Sequence, residues 1–240
     1  PKDVAGNSMT STAVPSGTSN IAGASAIVVD TTAPTKTLSG IHISADTGTS
    51  SSDFLTKTAS QTITATLSTA LTSGTEKLYG SVDNGTTWTD ITTKASGTAV
   101  SWDGATLSGS STIQLEVRDL AGNAGTRAGQ AYVLDTTAPT TTVPVVDITN
   151  DTGSSATDFI TNTASQSITG TLSAELAIGE RLKGSPDGGV TWFDITNRVT
   201  GTTFTVPDVT LVSGSNLLKV KVVDAAGNDE TMYLAPLDRA

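Results

Sequence analysis

The sequence predicts an all-β chain of tandem β-sandwich modules in an elongated array. Three observations lead there. Apolar and polar residues alternate with a period of two in several segments. The 240-residue chain repeats itself at a spacing of 105 residues, and clusters of Gly, Asp, Ser and Thr punctuate each repeat at short intervals. Alternation of this kind marks half-buried strands, and self-similarity at a fixed period marks a modular array.

The repeat sets the boundaries. Asp30-Thr31-Thr32-Ala33-Pro34 returns as Asp135-Thr136-Thr137-Ala138-Pro139, Asp46-Thr47-Gly48 as Asp151-Thr152-Gly153, and Asp53-Phe54 as Asp158-Phe159. Thr58 to Gln61 returns as Thr163 to Gln166, and Asp119 to Asn123 as Asp224 to Asn228. Gly80, Ser81, Asp83 and Trp88 match Gly184, Ser185, Asp187 and Trp192 with a one-residue slip, as a loop would allow. Asp3 to Asn7 is a third copy of the Asp-x-Ala-Gly-Asn motif. Residues 1–30 thus read as the last turn and strand of a preceding repeat, 31–135 as one module and 136–240 as the next. A chain that begins inside a repeat was cut from a longer array, or its first strand completes a neighbouring molecule.

Within a module, Ile63, Ala65 and Leu67 alternate with Thr62, Thr64 and Thr66, and Ile168, Gly170 and Leu172 repeat the pattern. Ile113, Leu115 and Val117 mark a later strand, matched by Leu218, Val220 and Val222. Val82 to Trp88 reads as a hairpin with Asn84-Gly85 at its turn, and Trp88 and Trp192 read as core anchors. Pro34 and Pro139 force an extended entry into each module. About seven strands in roughly 100 residues is the rhythm of an Ig-like sandwich.

Composition narrows the function. Threonine supplies 46 residues, which suits strands, and Asp outnumbers Glu 18 to 5, which suits turns and hard-cation sites. The formal net charge of −10 argues against nucleic acid as a partner. No cysteine is present, so disulfides and thiolate metal sites are excluded. No run of 18 apolar residues spans a membrane. No signal peptide opens the chain, which a trimmed leader or a distal C-terminal signal would explain. His42 is the one histidine and meets Asp147 in the other repeat. No nucleophile motif, phosphate loop or zinc spacing occurs, and the carboxylate pairs recur in register in both repeats. Duplicated positions fit architecture, so an enzyme is not expected. Asn84-Gly85-Thr86 and Asn150-Asp151-Thr152 are formal glycosylation sequons.

Four motifs in order carry a family resemblance: Asp-Thr-Thr-Ala-Pro, Asp-Thr-Gly followed by Asp-Phe, Ser-x-Asp-x-Gly-x-x-Trp in the hairpin, and Asp-x-Ala-Gly-Asn near the end. Together they resemble the bacterial Ig-like repeats of giant type I-secreted adhesins and biofilm-associated surface proteins. The resemblance implies a secreted protein at the bacterial cell surface that serves cell adhesion or biofilm formation. It also implies Ca²⁺ between modules as the stiffener of a long rod. Neighbouring repeats of the same protein are the first expected partners, with a host-surface or matrix ligand, or like molecules, beyond them.

Calcium takes six to eight oxygens, mostly carboxylate and carbonyl, and no EF-hand loop supplies them here. Ig topology would gather Asp46 and Asp53 with Asp135 at the 135–139 junction, with Asp224 or Asn228 reaching in from the next module. The preceding junction would use Asp30 with Asp119 or Asn123, and the following one Asp151, Asp158 and Asp238, the last of which lacks the Thr-Thr-Ala-Pro that follows Asp30 and Asp135. The competing reading makes these turn residues that cap their own backbone. For Asp83 and Asp187 the turn reading is the expectation.

Three function classes follow. The first is a Ca²⁺-stiffened adhesin stalk. The second is a binding module for glycan or like molecules, for which Tyr79, Phe193 and Phe204 are few and unpaired. The third is a filament or sheath subunit that donates residues 1–30 to a neighbour's sheet.

Overall fold

The computed structural model describes residues 29–230 and 233–239. The expected partial repeat over residues 1–30 lies outside them except for its last two positions. Two sandwiches follow each other along the chain. In the first, β1 (Leu38–Ile43), β3 (Ser60–Leu67), β7 (Ala99–Thr106) and β6 (Ala95–Ser96) form one sheet in that order. The facing sheet runs β2 (Leu55–Thr56), β9 (Ala128–Leu134), β8 (Ser110–Asp119), β4 (Glu76–Ser81) and β5 (Thr89–Asp90). All pairs are antiparallel except β2 with β9, so the first strand of the module switches sheets through the loop between β1 and β2.

The second sandwich repeats this order. One sheet is β10 (Val145–Ile148), β12 (Ser165–Thr171), β16 (Thr203–Thr210) and β15 (Val199–Thr200). The other is β11 (Ile160–Thr161), β18 (Tyr233–Arg239), β17 (Gly214–Val223), β13 (Arg181–Ser185) and β14 (Phe193–Asp194). The expectation was about seven strands. Each sandwich has nine ladder segments, three of them only two residues long, because the switching strand and the edge pieces are too short to carry a visible alternation.

The alternation places the core where the sequence put it. Ile63, Ala65 and Leu67 on β3 face Ile113, Leu115 and Val117 on β8 across the first sandwich, all buried. Ile168 on β12 faces Leu218, Val220 and Val222 on β17 in the second. Burial of each of these Ile, Leu and Val side chains contributes about 1.5–3 kcal/mol.

The tryptophans correct one expectation. Trp88 and Trp192 are half-buried on an outer face, not in the core. Arg118 and Arg127 stand 5.0 and 5.1 Å from the Trp88 ring, and Lys221 stands 4.4 Å from Trp192. An indole beside cations gains cation–π attraction that a dry core cannot supply. The core tryptophan is Trp102 on β7. His42 is exposed, as expected of a solvent-facing strand residue.

The 82–88 hairpin turns at Asn84 and Gly85, both with positive φ, as the Asn-Gly pair requires. Asp83 accepts hydrogen bonds from the Thr87 amide at 2.8 Å and the Ser81 hydroxyl at 2.7 Å, and Asp187 repeats both with Thr191 and Ser185. The threonine hydroxyl and amide bonds hold both carboxyls down at about 2.

Candidate junction site

The loop between β1 and β2 is built from inside the module. Gln61 is buried and spans it, donating from Nε2 to the carbonyls of Ala45 (3.1 Å) and Thr58 (2.7 Å) and accepting the Ala45 amide at Oε1 (2.8 Å). Gln166 does the same with Asn150 and Thr163 in the second module. These glutamines were visible as a repeated letter but carried no role in the sequence, because a clamp for a loop has no spacing rule.

The clamp holds a strained residue. Phe54 has φ 61° and Phe159 has φ 60°, a region that costs a bulky residue on the order of 1–3 kcal/mol. Asp46 offsets the strain by accepting the Phe54 amide at Oδ2 (3.0 Å), and Asp151 does so for Phe159 (3.0 Å). The other oxygen of each carboxylate, Asp46 Oδ1 and Asp151 Oδ1, is buried and has no partner. Burial pushes the Asp46 carboxyl above its ordinary range. The Phe54 amide works against this, and the neighbouring Asp53 charge adds to it. Asp53 in turn accepts the Leu55 amide at Oδ1 (3.1 Å), and Asp158 accepts that of Ile160 (3.1 Å).

At the opposite pole the Asp-x-Ala-Gly-Asn loops close on themselves. Asp224 accepts both the backbone amide (2.8 Å) and the Nδ2 (2.9 Å) of Asn228. Asp119 accepts the same pair from Asn123 at 2.9 and 2.8 Å, and these bonds, the side-chain amide first, lower its carboxyl. Gly122 and Gly227 supply the positive φ that the turn needs. The asparagine then reaches outward. Asn228 Nδ2 donates to the carbonyl of Asp135 (2.9 Å) and Asn123 Nδ2 to that of Asp30 (3.0 Å).

The two poles meet between the modules. The Thr47 hydroxyl donates to the Ala226 carbonyl (2.7 Å), the Thr49 amide to the Ala225 carbonyl (3.2 Å), and Lys57 Nζ to the Gly227 carbonyl (2.7 Å). Lys57 also lies 3.7 Å from Asp229. The backbones are in close contact. A Cβ on Gly48 would stand 2.7 Å from the Ala225 carbonyl, and one on Gly227 would stand 2.6 Å from that of Thr47. Ala226 is buried by this contact, whereas its counterpart Ala121 is exposed.

The structure therefore brings the Asp46–Asp53 loop, Asp135 and the Asp224–Asn228 loop to one junction, but in a different chemical arrangement from the expected one. Among the described residues no group of three or more His, Cys, Asp or Glu side chains could hold a metal ion. Asp135 forms no group of metal-holding size with Asp46 and Asp53, and its Oδ1 accepts the Thr137 amide (3.0 Å) in a local turn. Asp30 makes the same turn with Thr32. Asp119 and Asp224 accept from their own loops, and the Nδ2 groups of Asn123 and Asn228 are shared between those carboxylates and the linker carbonyls. Asp46 and Asp151 each keep an unsatisfied carboxylate oxygen, and with Asp53 and Asp158 they are the residues whose chemistry suits a hard cation.

Residues 137–236 match the family model described as bacterial Ig-like domain. No curated protein matches the chain. Among solved structures, the fibronectin(III)-like modules of Clostridium thermocellum CbhA align over 83% of this chain and 94% of theirs, at 16% identity and a TM-score of 0.43. A biofilm-associated protein BSP domain aligns over 85% of this chain and 30% of its own, at 10% identity and a TM-score of 0.27. A tetra-tandem repeat from the extending region of a large adhesion protein aligns over 85% and 49%, at 15% identity and a TM-score of 0.26.

Proposed function

We propose, for a chain whose residues 137–236 match the bacterial Ig-like domain model, that it is a non-catalytic stalk segment of a large bacterial surface adhesin, stiffened by Ca²⁺ near its inter-module junctions. The observation that carries the reading is the direct docking of the 46–53 loop onto the 224–228 loop beside a buried, unpartnered carboxylate oxygen, Asp46 Oδ1. A module that transmits tension gains from a junction in which hydrogen bonds, not a free linker, set the angle between neighbours.

The donor set fits a calcium ion better than a transition metal. It offers carboxylate oxygens from Asp46 and Asp53, with loop carbonyls nearby and no imidazole or thiolate. An unpartnered buried carboxylate oxygen next to a second carboxylate is costly without a cation, and the same orphan recurs at Asp151. A cation bound by Asp46 and Asp53 would fix the loop that grips the next module, so stiffening would act through that loop without needing Asp135. Secretion, a place at the cell surface and support of cell adhesion or biofilm formation belong to the same reading.

The test is thermal unfolding and small-angle X-ray scattering of the purified chain in millimolar Ca²⁺ and in excess EDTA. A higher melting temperature and a narrower distribution of dimensions with Ca²⁺ support the calcium-stiffened stalk. Identical curves in both buffers leave the aspartates as turn residues and reject the calcium part of the reading.

A further inference from the structure

The second module contains an apolar cavity of about 300 Å³ between its sheets, beside the 185–192 hairpin. Its walls include Ile168, Gly184, Ile195, Val206 and Leu218, with Phe193 at its edge 58% exposed. The first module shows what such a space can hold. Trp102 pairs with Ile63 across β3 and β7, and Val206 holds the equivalent place opposite Ile168. In the first module the Trp102 ring lies against Gly80, where a Cβ would stand 2.5 Å from Cζ3 and 3.0 Å from Ile91 Cδ1. Gly80 must be glycine to make room for the indole.

Gly184 keeps that glycine, but the ring is gone. A Cβ on Gly184 would meet only Ile195, at 3.2 Å from its Cδ1. The large ring of the second module, Phe204, is two positions away and packs against Gly170 instead. The cavity is therefore the space of a deleted indole, with an open side. We propose that it is a binding site for a small, uncharged, planar aromatic molecule of indole size.

The chemistry of the walls selects this class. The lining is mostly aliphatic and aromatic, with Ser185, Thr210 and Lys219 as its polar members, and the Lys219 ammonium lies towards Gly189 in the hairpin. The Ser185 hydroxyl within it is already committed to Asp187 and to the Gly189 amide, so a charged or strongly polar ligand would lose its hydration without replacement. Apolar cavities of about 150 Å³ lined by aliphatic and aromatic residues stay dry and take up benzene, so a larger one admits a bicyclic ring. The exposed Phe193 ring at the edge offers a stacking surface. This inference stands apart from the stalk reading, since it uses no junction residue.

Titration of the full chain with indole, followed by amide chemical shifts in ¹⁵N-labelled protein, tests it. The expected result is saturable shifts at Gly184, Val206 and Leu218, with a Kd on the order of 1 mM for so small a ligand, and none at Gly80, Trp102 and Ile113. Val206→Trp should fill the cavity, weaken indole binding at least tenfold and raise the melting temperature. Val206→Phe serves the same purpose if the larger ring does not fold. Absence of saturable shifts in the wild-type chain, or undiminished binding in a folded cavity-filled variant, overturns the proposal.

Discussion

Asn228 donates its side-chain amide to the backbone carbonyl of Asp135, 93 residues earlier in the chain, at 2.9 Å. The same amide also donates to Asp224, so one side chain ties a loop of the second module to the linker that leads into it. Asn123 and Asp30 form the equivalent pair at the preceding linker. A motif that reads as a turn in sequence is also a clasp in space.

Replacing Asn228 by Ala should break the clasp without unfolding the sandwich. Asp224 would lose one donor and the Asp135 carbonyl its side-chain donor, a cost of about 1–3 kcal/mol where the groups are partly buried. Scattering should show a broader distribution of dimensions. Asn123→Ala should leave that distribution unchanged, because its clasp holds the linker that enters the first module.

Gly48 is one of the two tight points of the junction, with Gly227. A methyl group there would press on the Ala225 carbonyl, so Gly48→Ala should push the 225–227 loop away and break the Thr49 amide bond to Ala225. Hydrogen exchange at the Thr49 amide should accelerate at least about tenfold, the equivalent of about 1.4 kcal/mol, while the amides of β3 and β8 keep their protection. Unchanged exchange at Thr49 would mean that the modules do not rest on each other in solution.

The raised Asp46 carboxyl makes a signed prediction. A carboxyl whose folded value lies above the ordinary 3.8 binds more protons in the folded chain than in the unfolded one. Stability is then lost as pH rises through that interval, and at neutral pH the cation-free protein carries the whole penalty. The double variant Asp46→Asn, Asp151→Asn keeps an oxygen for the Phe54 and Phe159 amides and removes the charge. In EDTA its melting temperature should rise by about 1–4 °C. If Ca²⁺ binds these loops, its stabilising effect should vanish in the variant. A variant that still gains stability from Ca²⁺ would place the ion elsewhere.

Asp83 and Asp187 predict the acid limb. Their folded values of about 2 lie below the ordinary 3.8, so the folded chain binds fewer protons between the two. Their contribution is present above about pH 4 and is lost as pH falls towards 2. Asp83→Asn with Asp187→Asn should flatten acid unfolding in that window, read as melting temperature against pH.

Much of this was legible in the sequence because it rests on period and repetition. Ile63, Ala65 and Leu67 announce a strand, and Asn84-Gly85 announces its turn. The poles at which Asp46 and Asn228 sit also follow from sandwich topology. The chemistry of the junction did not. Whether a carboxylate turns to its own amide, as Asp135 does with Thr137, depends on rotamers and local backbone geometry that spacing does not encode. Trp102 lies on β7 and packs in the core, whereas Trp88 lies in the loop just before β5. The letter pattern around Trp88 is dominated by the hairpin, so its outward position was hidden. Lys57 and Asp229, which meet across the junction, have Asn162 and Ala124 as counterparts, so no repeat pointed to them.

That outer face of the first module supplies the last prediction. Glu116 is fully buried on β8 and accepts hydrogen bonds from Arg118 Nε (2.6 Å) and Arg127 Nε (2.5 Å). Its counterpart in the second module is Lys221. The arginine side chains remain 26% and 55% exposed, so the two ends of the network differ in what their loss would strand. Glu116→Leu leaves two guanidinium groups that water can reach, and Arg118 keeps its stacking 4.5 Å from Tyr79. Its cost should be about 1 kcal/mol or less, since a buried ion pair exchanged for apolar volume is often near neutral. Arg118→Ala with Arg127→Ala strands a buried carboxylate and uncovers Trp88, and should cost about 3–5 kcal/mol. Denaturant unfolding of both variants decides it. The double arginine variant must be the less stable of the two. The reverse order would show that the carboxylate, not the pair of cations above it, organises this face.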